Sequence, residues 1–298
     1  MKTSKIIQSL MPYAVSLLIL YFIFRKTDFV SIVNELKDIN MVLVLLVVVI
    51  VLLNNYILSA FLWRKTLALQ NNHIPYKNIL RARMASYSIR LVMPSKISDM
   101  LALGFLTRTE KTSLKQAGVC FLISNILVLI SLLIFSIVAL FFQFWWIVPI
   151  FIILVFSAAG VLYLVRELSI VRNILKIIEN EFSAFVVILT SSILTGCLIM
   201  LQWSLLFIAA GVKPTILQFM IFAPLTIVLS LIPISIGGLG VREYFLLRFF
   251  ETIATNELIA LGFLIFIVER MVPSIFGVLF TPGLVSGLLF GKKFSKYT

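Results

Sequence analysis

Long apolar runs dominate the chain. They occupy residues 6–24, 41–62, 117–141, 145–165, 184–208 and 258–282. Each supplies the ~20 residues that a helix needs to cross a hydrocarbon core of ~30 Å, so the pattern predicts six full transmembrane helices. Two stretches depart from it. Residues 76–107 mix apolar positions with Arg81, Arg83, Arg90, Lys96 and Asp99 and are interrupted by Pro94. Residues 217–251 are apolar but are broken by Pro233, Gly237, Gly238 and Gly240, with Arg242 and Glu243 directly after. Proline and clustered glycines stop helices, so each stretch is expected to fold as a re-entrant helical hairpin hinged at those residues. Broken helices survive at membrane depth only where protein or a wet cavity covers the freed backbone. The expected fold class is therefore all-α, a polytopic membrane protein of about six transmembrane helices plus two re-entrant hairpins, in a single membrane domain spanning 1–298.

The order of these elements repeats. Starts at 6, 41, 76 and 117 recur at 145, 184, 217 and 258, an offset of about 140 residues that also separates Pro94 from Pro233. Each half, about 1–141 and 145–285, crosses the bilayer an odd number of times, which makes the two halves an inverted repeat. Inverted repeats whose broken helices meet near the midplane are a common transporter architecture.

Charge sets the orientation. The chain carries 25 Lys and Arg against 12 Asp and Glu, and charged residues make up only 12% of it, about half the share of a soluble domain. Between Arg64 and Lys115 lie ten basic residues, opposed only by Asp99 and Glu110. By the positive-inside rule this region faces the cytoplasm, and so do both termini, the C-terminal tail holding Lys292, Lys293 and Lys296. The apolar start, with Lys2 and Lys5 but no small-residue cleavage site, reads as a retained first helix. The expected location is the cell (plasma) membrane. Because the basic residues sit in short segments between spans, they predict contact with anionic lipid headgroups and no nucleic acid.

Conventional catalysis finds no support. Cys120 and Cys197 fall in or beside apolar runs, and His73 is the only histidine, so neither a metal site nor a cofactor is expected. No P-loop, GxGxxG, GxSxG or HExxH occurs. The candidate residues are charges placed where charge is costly. Arg242 and Glu243 fall where a helix restarts after Gly240; this reads either as a phosphate site at a helix N-terminus or as a hinge with a structural ion pair. Glu269 and Arg270, in the middle of the last span, read either as a ligand site or as a pair tying that helix to the second hairpin. Arg83, Ser86, Tyr87 and Arg90 share one helical face, and Lys96 and Asp99 begin the helix after Pro94. Asn54, Asn55, Asn125 and Gln202 read as interhelical glue.

The segment Pro233-Ile-Ser-Ile-Gly-Gly-Leu-Gly-Val-Arg-Glu243 resembles a Pro-x-Ser-x-Gly-Gly-x-Gly-x-Arg-Glu string of the flippase-like transmembrane family, which includes the membrane region of lysylphosphatidylglycerol synthases. Pro94-Ser-Lys-Ile-Ser-Asp99 resembles that family's Pro-x-Arg-x-Gly-Glu/Asp string in part, with Lys96 in place of Arg and Ser98 in place of Gly. The resemblance implies a lipid or glycolipid translocase, or a membrane partner of a glycosyltransferase or synthetase. Members joined to a soluble synthetase domain transfer an aminoacyl group to phosphatidylglycerol. No such domain follows the last span here, so a transporter is expected rather than an enzyme. The expectation is thus flipping of an anionic phospholipid or lipid-linked sugar phosphate, bound by Arg242 and Arg270. Glu243, Glu269 and Asp99 would balance the empty site, and Lys96 and Arg90 would receive the headgroup. The alternatives are an intramembrane lipid-modifying transferase of the lysylphosphatidylglycerol synthase type and a non-catalytic membrane partner of a glycosyltransferase.

Overall fold

In a computed structural model of the chain, residues 34–90, 95–110, 112–143, 182–231 and 240–283 are described. The expected spans at 6–24 and 145–165, the hinge residues Pro94, Pro233, Gly237 and Gly238, and the C-terminal lysines lie outside them. The described part is helical: α1 (Met41–Ala68), α2 (Tyr76–Ile89), α3 (Ser95–Thr109), α4 (Leu114–Gln143), α5 (Phe182–Ala209), α6 (Ile216–Ser230), α7 (Val241–Phe249) and α8 (Thr255–Phe280). Four of these, α1, α4, α5 and α8, are long and apolar enough to cross a bilayer, and each covers one of the predicted spans. Helix α1 runs six residues beyond its apolar stretch and carries Arg64 and Lys65 on its last turns. Backbone hydrogen bonding, not apolarity, decides where it stops.

Outward faces are apolar. Leu122, Ile126, Ile130, Ile134 and Val138, spaced every fourth residue along α4, are all exposed, forming the stripe that a lipid-facing helix presents. Helix α8 is the most enclosed: 61% of its most apolar window is buried, against 22–33% for the other three long helices.

Two interactions fix the polarity of the bundle. The Asn40 N–H donates to the Ala209 carbonyl (3.0 Å), placing the start of α1 beside the end of α5. At the opposite end of α1, Gln70 and Gln116 exchange hydrogen bonds, with the Gln116 amide donating to the Gln70 carbonyl at 2.9 Å. The short helices pair as hairpins. Asn78 at the start of α2 donates to Glu110 just past α3 (2.7 Å), so α2 and α3 start and finish at the Gln70 end. Gln218 at the start of α6 donates to the Phe249 carbonyl closing α7 (3.3 Å), so α6 and α7 start and finish together as well. At 14 and 15 residues, α2 and α3 reach only ~21–23 Å, short of a full crossing.

The turns that precede the hairpins match. Helices α1 and α5 both end with a residue in the left-handed region, Asn71 (φ 56°) and Gly211 (φ 71°). In both cases the following N–H reaches back five residues, Asn72 to Leu67 (3.2 Å) and Val212 to Phe207 (2.9 Å), which satisfies carbonyls at the helix end. The packing is also reciprocal: Ser136 of α4 donates to the Ile221 carbonyl of α6 (2.9 Å), and Ser274 of α8 donates to the Tyr87 carbonyl of α2 (2.8 Å). Each long helix following a hairpin thus braces the first helix of the other hairpin.

Two of the apolar clusters among the described residues surround the hairpins. One joins Trp63, Leu67, Ile79, Leu103 and Leu106 around the α2–α3 hairpin. The other joins Val47, Phe207, Ile227, Leu246, Phe250 and Leu261 around the α6–α7 hairpin. Polar residues are concentrated between them.

Candidate functional site

A cavity of about 160 Å³ lies among α1–α6 and α8. Its walls carry Asn54, Asn55, Ser59, Arg83, Tyr87, Arg90, Asp99, Ser124, Asn125, Thr195, Gln202, Glu269 and Arg270, completed by apolar residues of the same helices. The two hairpins converge on it, Tyr87, Arg90 and Asp99 coming from the first and Ile227 and Leu231 from the second.

Two local widenings of the helix carry polar neighbours. Residues adjacent in an α-helix point about 100° apart, and Asn54-Asn55 and Glu269-Arg270 are two such adjacent polar pairs. Both pairs lie in π-helical turns, Leu53–Leu58 in α1 and Ile267–Met271 in α8, and all four residues line the cavity. π-Turns inside longer helices recur at functional sites. Here each carries two consecutive polar residues of the wall, as the ordinary α-turn at Ser124-Asn125 also does.

Asp99 organises the first hairpin. Its Oδ1 accepts from Arg90 Nη2 (2.7 Å), Arg83 Nη1 (2.9 Å) and the Ser86 hydroxyl (2.6 Å). The arginines are also stacked: Arg83 lies 4.4 Å from the Trp63 ring and 5.0 Å from Tyr87, and Arg90 lies 3.6 Å from Tyr87. Aromatic faces stabilise a desolvated guanidinium. The face formed by Arg83, Ser86, Tyr87 and Arg90 is therefore a ladder of alternating cation and ring clamped by one carboxylate.

The second hairpin resolves its charges differently. Gly240 has φ 86°, a conformation that favours glycine, and its N–H donates to Glu243 Oε2 (2.6 Å). The other oxygen, Oε1, accepts from Arg242 Nη2 (2.8 Å) and Nε (3.2 Å), while Nη2 also donates to the Gly262 carbonyl (3.2 Å). Arg242 and Glu243 are 2% and 3% exposed, so this pair points into protein and not into lipid. Neither residue is in the cavity wall.

Glu269 and Arg270 do not pair with each other. Glu269 accepts from the indole N–H of Trp203 (2.8 Å). Among the described residues Arg270 makes no ion pair or hydrogen bond, and its Nε is buried without a partner.

Six buried side-chain atoms have no hydrogen-bond partner among the described residues: Asn54 Oδ1, Arg83 Nε, Arg90 Nε, Ser124 Oγ, Gln202 Nε2 and Arg270 Nε. All six belong to residues of the cavity wall. Buried polar atoms normally find partners, and those in native structures concentrate where a ligand or water completes them. Four of the six are N–H donors, and the wall carries three arginines (Arg83, Arg90, Arg270) against two carboxylates (Asp99, Glu269). That donor set and one surplus positive charge suit an anion.

Residues 9–277 match the family described as the lysylphosphatidylglycerol synthase TM region. The chain belongs to that family. Among curated proteins none matches it. Membership in the lysylphosphatidylglycerol synthase membrane-region family connects the chain with membrane lipid, and the multi-pass helical fold agrees.

Of the residues singled out in the sequence, Arg90, Asp99, Glu269 and Arg270 come together in the cavity wall, Arg242 and Glu243 pair with each other outside it, and Lys96 lies in the first turn of α3. Sequence reasoning left out several members of the site. Asn54, Asn55, Asn125 and Gln202, read as glue, line the cavity; Arg83 and Tyr87, already placed with Arg90 on one helical face, line it too. The signal that could have found the amides is their depth within apolar runs. Trp63 and Trp203 carried no signal, because a tryptophan in a span reads as packing.

Proposed function

We propose that this chain moves an anionic lipid, a phospholipid or lipid-linked sugar phosphate, between leaflets, with its phosphate passing through the polar cavity. The observation that carries this reading is the coincidence of six unpartnered buried polar atoms, four of them N–H donors, in one wall beside an unpaired Arg270. A phosphate offers several acceptor lone pairs to such a set. Arg270 holds the phosphate, Glu269 and Asp99 hold the charge balance when the site is empty, and Arg90 with Lys96 receives the headgroup from the first hairpin. The Arg242–Glu243 pair lies outside the cavity wall and ties the start of α7 to the Gly262 carbonyl of α8. Pro94, Pro233, Gly237, Gly238 and Gly240 serve as hinges.

In this reading the α2–α3 and α6–α7 hairpins are re-entrant, one from each side of the membrane, and the halves are related by a two-fold axis in its plane. The reciprocal Ser136–Ile221 and Ser274–Tyr87 contacts support it, since a two-fold relation makes contacts recur with roles exchanged. Both termini are cytoplasmic, and the membrane is the plasma membrane.

Family membership favours a second reading, in which the chain modifies lipid or serves a synthetase or glycosyltransferase that does. One reconstitution separates the two. Purified protein in vesicles containing a headgroup-labelled anionic lipid should equalise the label between leaflets while leaving its chemistry unchanged. Chemical conversion of the lipid without equalisation would replace translocation by transfer.

A further inference from the structure

Helices α1 and α5 carry a second concave face, formed by other side chains than those of the cavity. It is a groove of about 560 Å³ lined by Leu53, Ile57, Phe61, Leu194 and Leu198, with Arg64 and Tyr76 also contributing. The polar cavity uses the neighbouring positions Asn55, Ser59, Thr195 and Ile199 on the same two helices. The same two helices therefore line an apolar groove and a polar cavity with different side chains.

The groove is polar at one end only. Arg64 is eleven residues beyond Leu53, or ~16 Å along α1, and six residues before Gln70, whose bonds with Gln116 mark that end of the bundle. It is exposed, and among the described residues no carboxylate pairs with it. Lys65 beside it rests its ammonium 5.5 Å above the Phe61 ring, adding a second cation. The Tyr76 hydroxyl donates to the Ile57 carbonyl (2.9 Å). This satisfies a carbonyl in the π-turn and fixes the side wall.

We propose that this groove holds one acyl chain of an anionic phospholipid whose phosphate sits on Arg64. The apolar walls accept hydrocarbon over their length, and the free guanidinium marks the headgroup level. The bound lipid stands with its head at the Gln70 end and its tail toward Leu53. Its use as a waiting position for cargo rests on the translocation reading; its occupancy does not.

The test uses the full chain in vesicles containing phosphatidylglycerol or phosphatidylcholine probes that carry a photoactivatable group on the acyl chain, with labelled peptides mapped by mass spectrometry. The phosphatidylglycerol probe should label the Leu53–Phe61 and Leu194–Leu198 segments about fivefold more than the phosphatidylcholine probe, the preference that one basic residue gives at an anionic surface. Arg64→Gln should remove that preference, and Leu194→Trp, which fills the groove from an exposed position, should remove labelling by either probe. Should Leu194→Trp fold poorly, Arg64→Gln decides alone. Equal labelling by the two probes, or a preference that survives Arg64→Gln, would overturn the site. Arg270→Ala should keep the labelling preference. A preserved preference in protein that does not equalise lipid counts against translocation only. A lost preference in protein that does equalise lipid counts against the groove only.

Discussion

Trp203 donates its indole N–H to Glu269 across a separation of 66 residues (2.8 Å), leaving Arg270, the next residue, without that carboxylate. The last long helix therefore presents a satisfied acid and an unsatisfied base to the same cavity. An ion pair between them would have closed the site electrostatically.

Removing this donor should cost stability. Trp203→Phe leaves a carboxylate at membrane depth without its N–H partner, a loss of about 1–3 kcal/mol. Thermal unfolding in detergent should show a lower midpoint, and Glu269→Gln in the same background should recover part of it, because a neutral amide tolerates burial better than an unbonded carboxylate.

Much of this architecture was legible in the sequence, and the reasons show where legibility ends. Apolar runs report residence in the bilayer, so α1, α4, α5 and α8 fell where expected. Pro94 and the glycines before Arg242 report interruption, so two pairs of short helices were foreseen. Which face of each helix meets protein was not legible, because lipid and protein interior are equally apolar and the period of burial disappears. Hence Asn54 and Gln202 read as glue, and Trp203 could not be assigned to Glu269. The π-turns were also hidden, since nothing in Leu53–Leu58 or Ile267–Met271 announces an extra residue per turn.

Asp99 should prove structural as well as electrostatic. Its Oδ1 receives two guanidinium groups and a hydroxyl, so Asp99→Asn leaves two buried cations uncompensated. The expected loss is about 3–5 kcal/mol, measured as a shift in unfolding midpoint. Arg90→Gln combined with Asp99→Asn should be more stable than Asp99→Asn alone, and strict additivity would contradict the shared-carboxylate account.

Packing of the first hairpin on α8 depends on Gly277. A Cβ there would collide with the Met84 carbonyl and the Ser88 hydroxyl, and the carbonyl cannot move without shifting α2. Gly277→Ala should destabilise by about 1–3 kcal/mol. Gly104→Ala in α3 meets nothing within 4 Å and should be neutral or stabilising by up to about 1 kcal/mol through helix propensity. Paired melting curves check the contrast.

The central claim is that Arg270 holds a lipid phosphate in the cavity. Arg270→Ala removes a charge that has no partner among the described residues, so the unfolding midpoint should stay level or rise. Loss of a charge-assisted contact of about 1.5–3 kcal/mol should slow lipid movement roughly 10- to 100-fold, and Arg270→Lys should recover it only in part because lysine lacks the planar fork. The measurement is equalisation of a headgroup-labelled anionic lipid in vesicles, with melting recorded on the same preparations. Slow equalisation by a stable Arg270→Ala protein is the predicted result; wild-type equalisation by that protein would contradict the account.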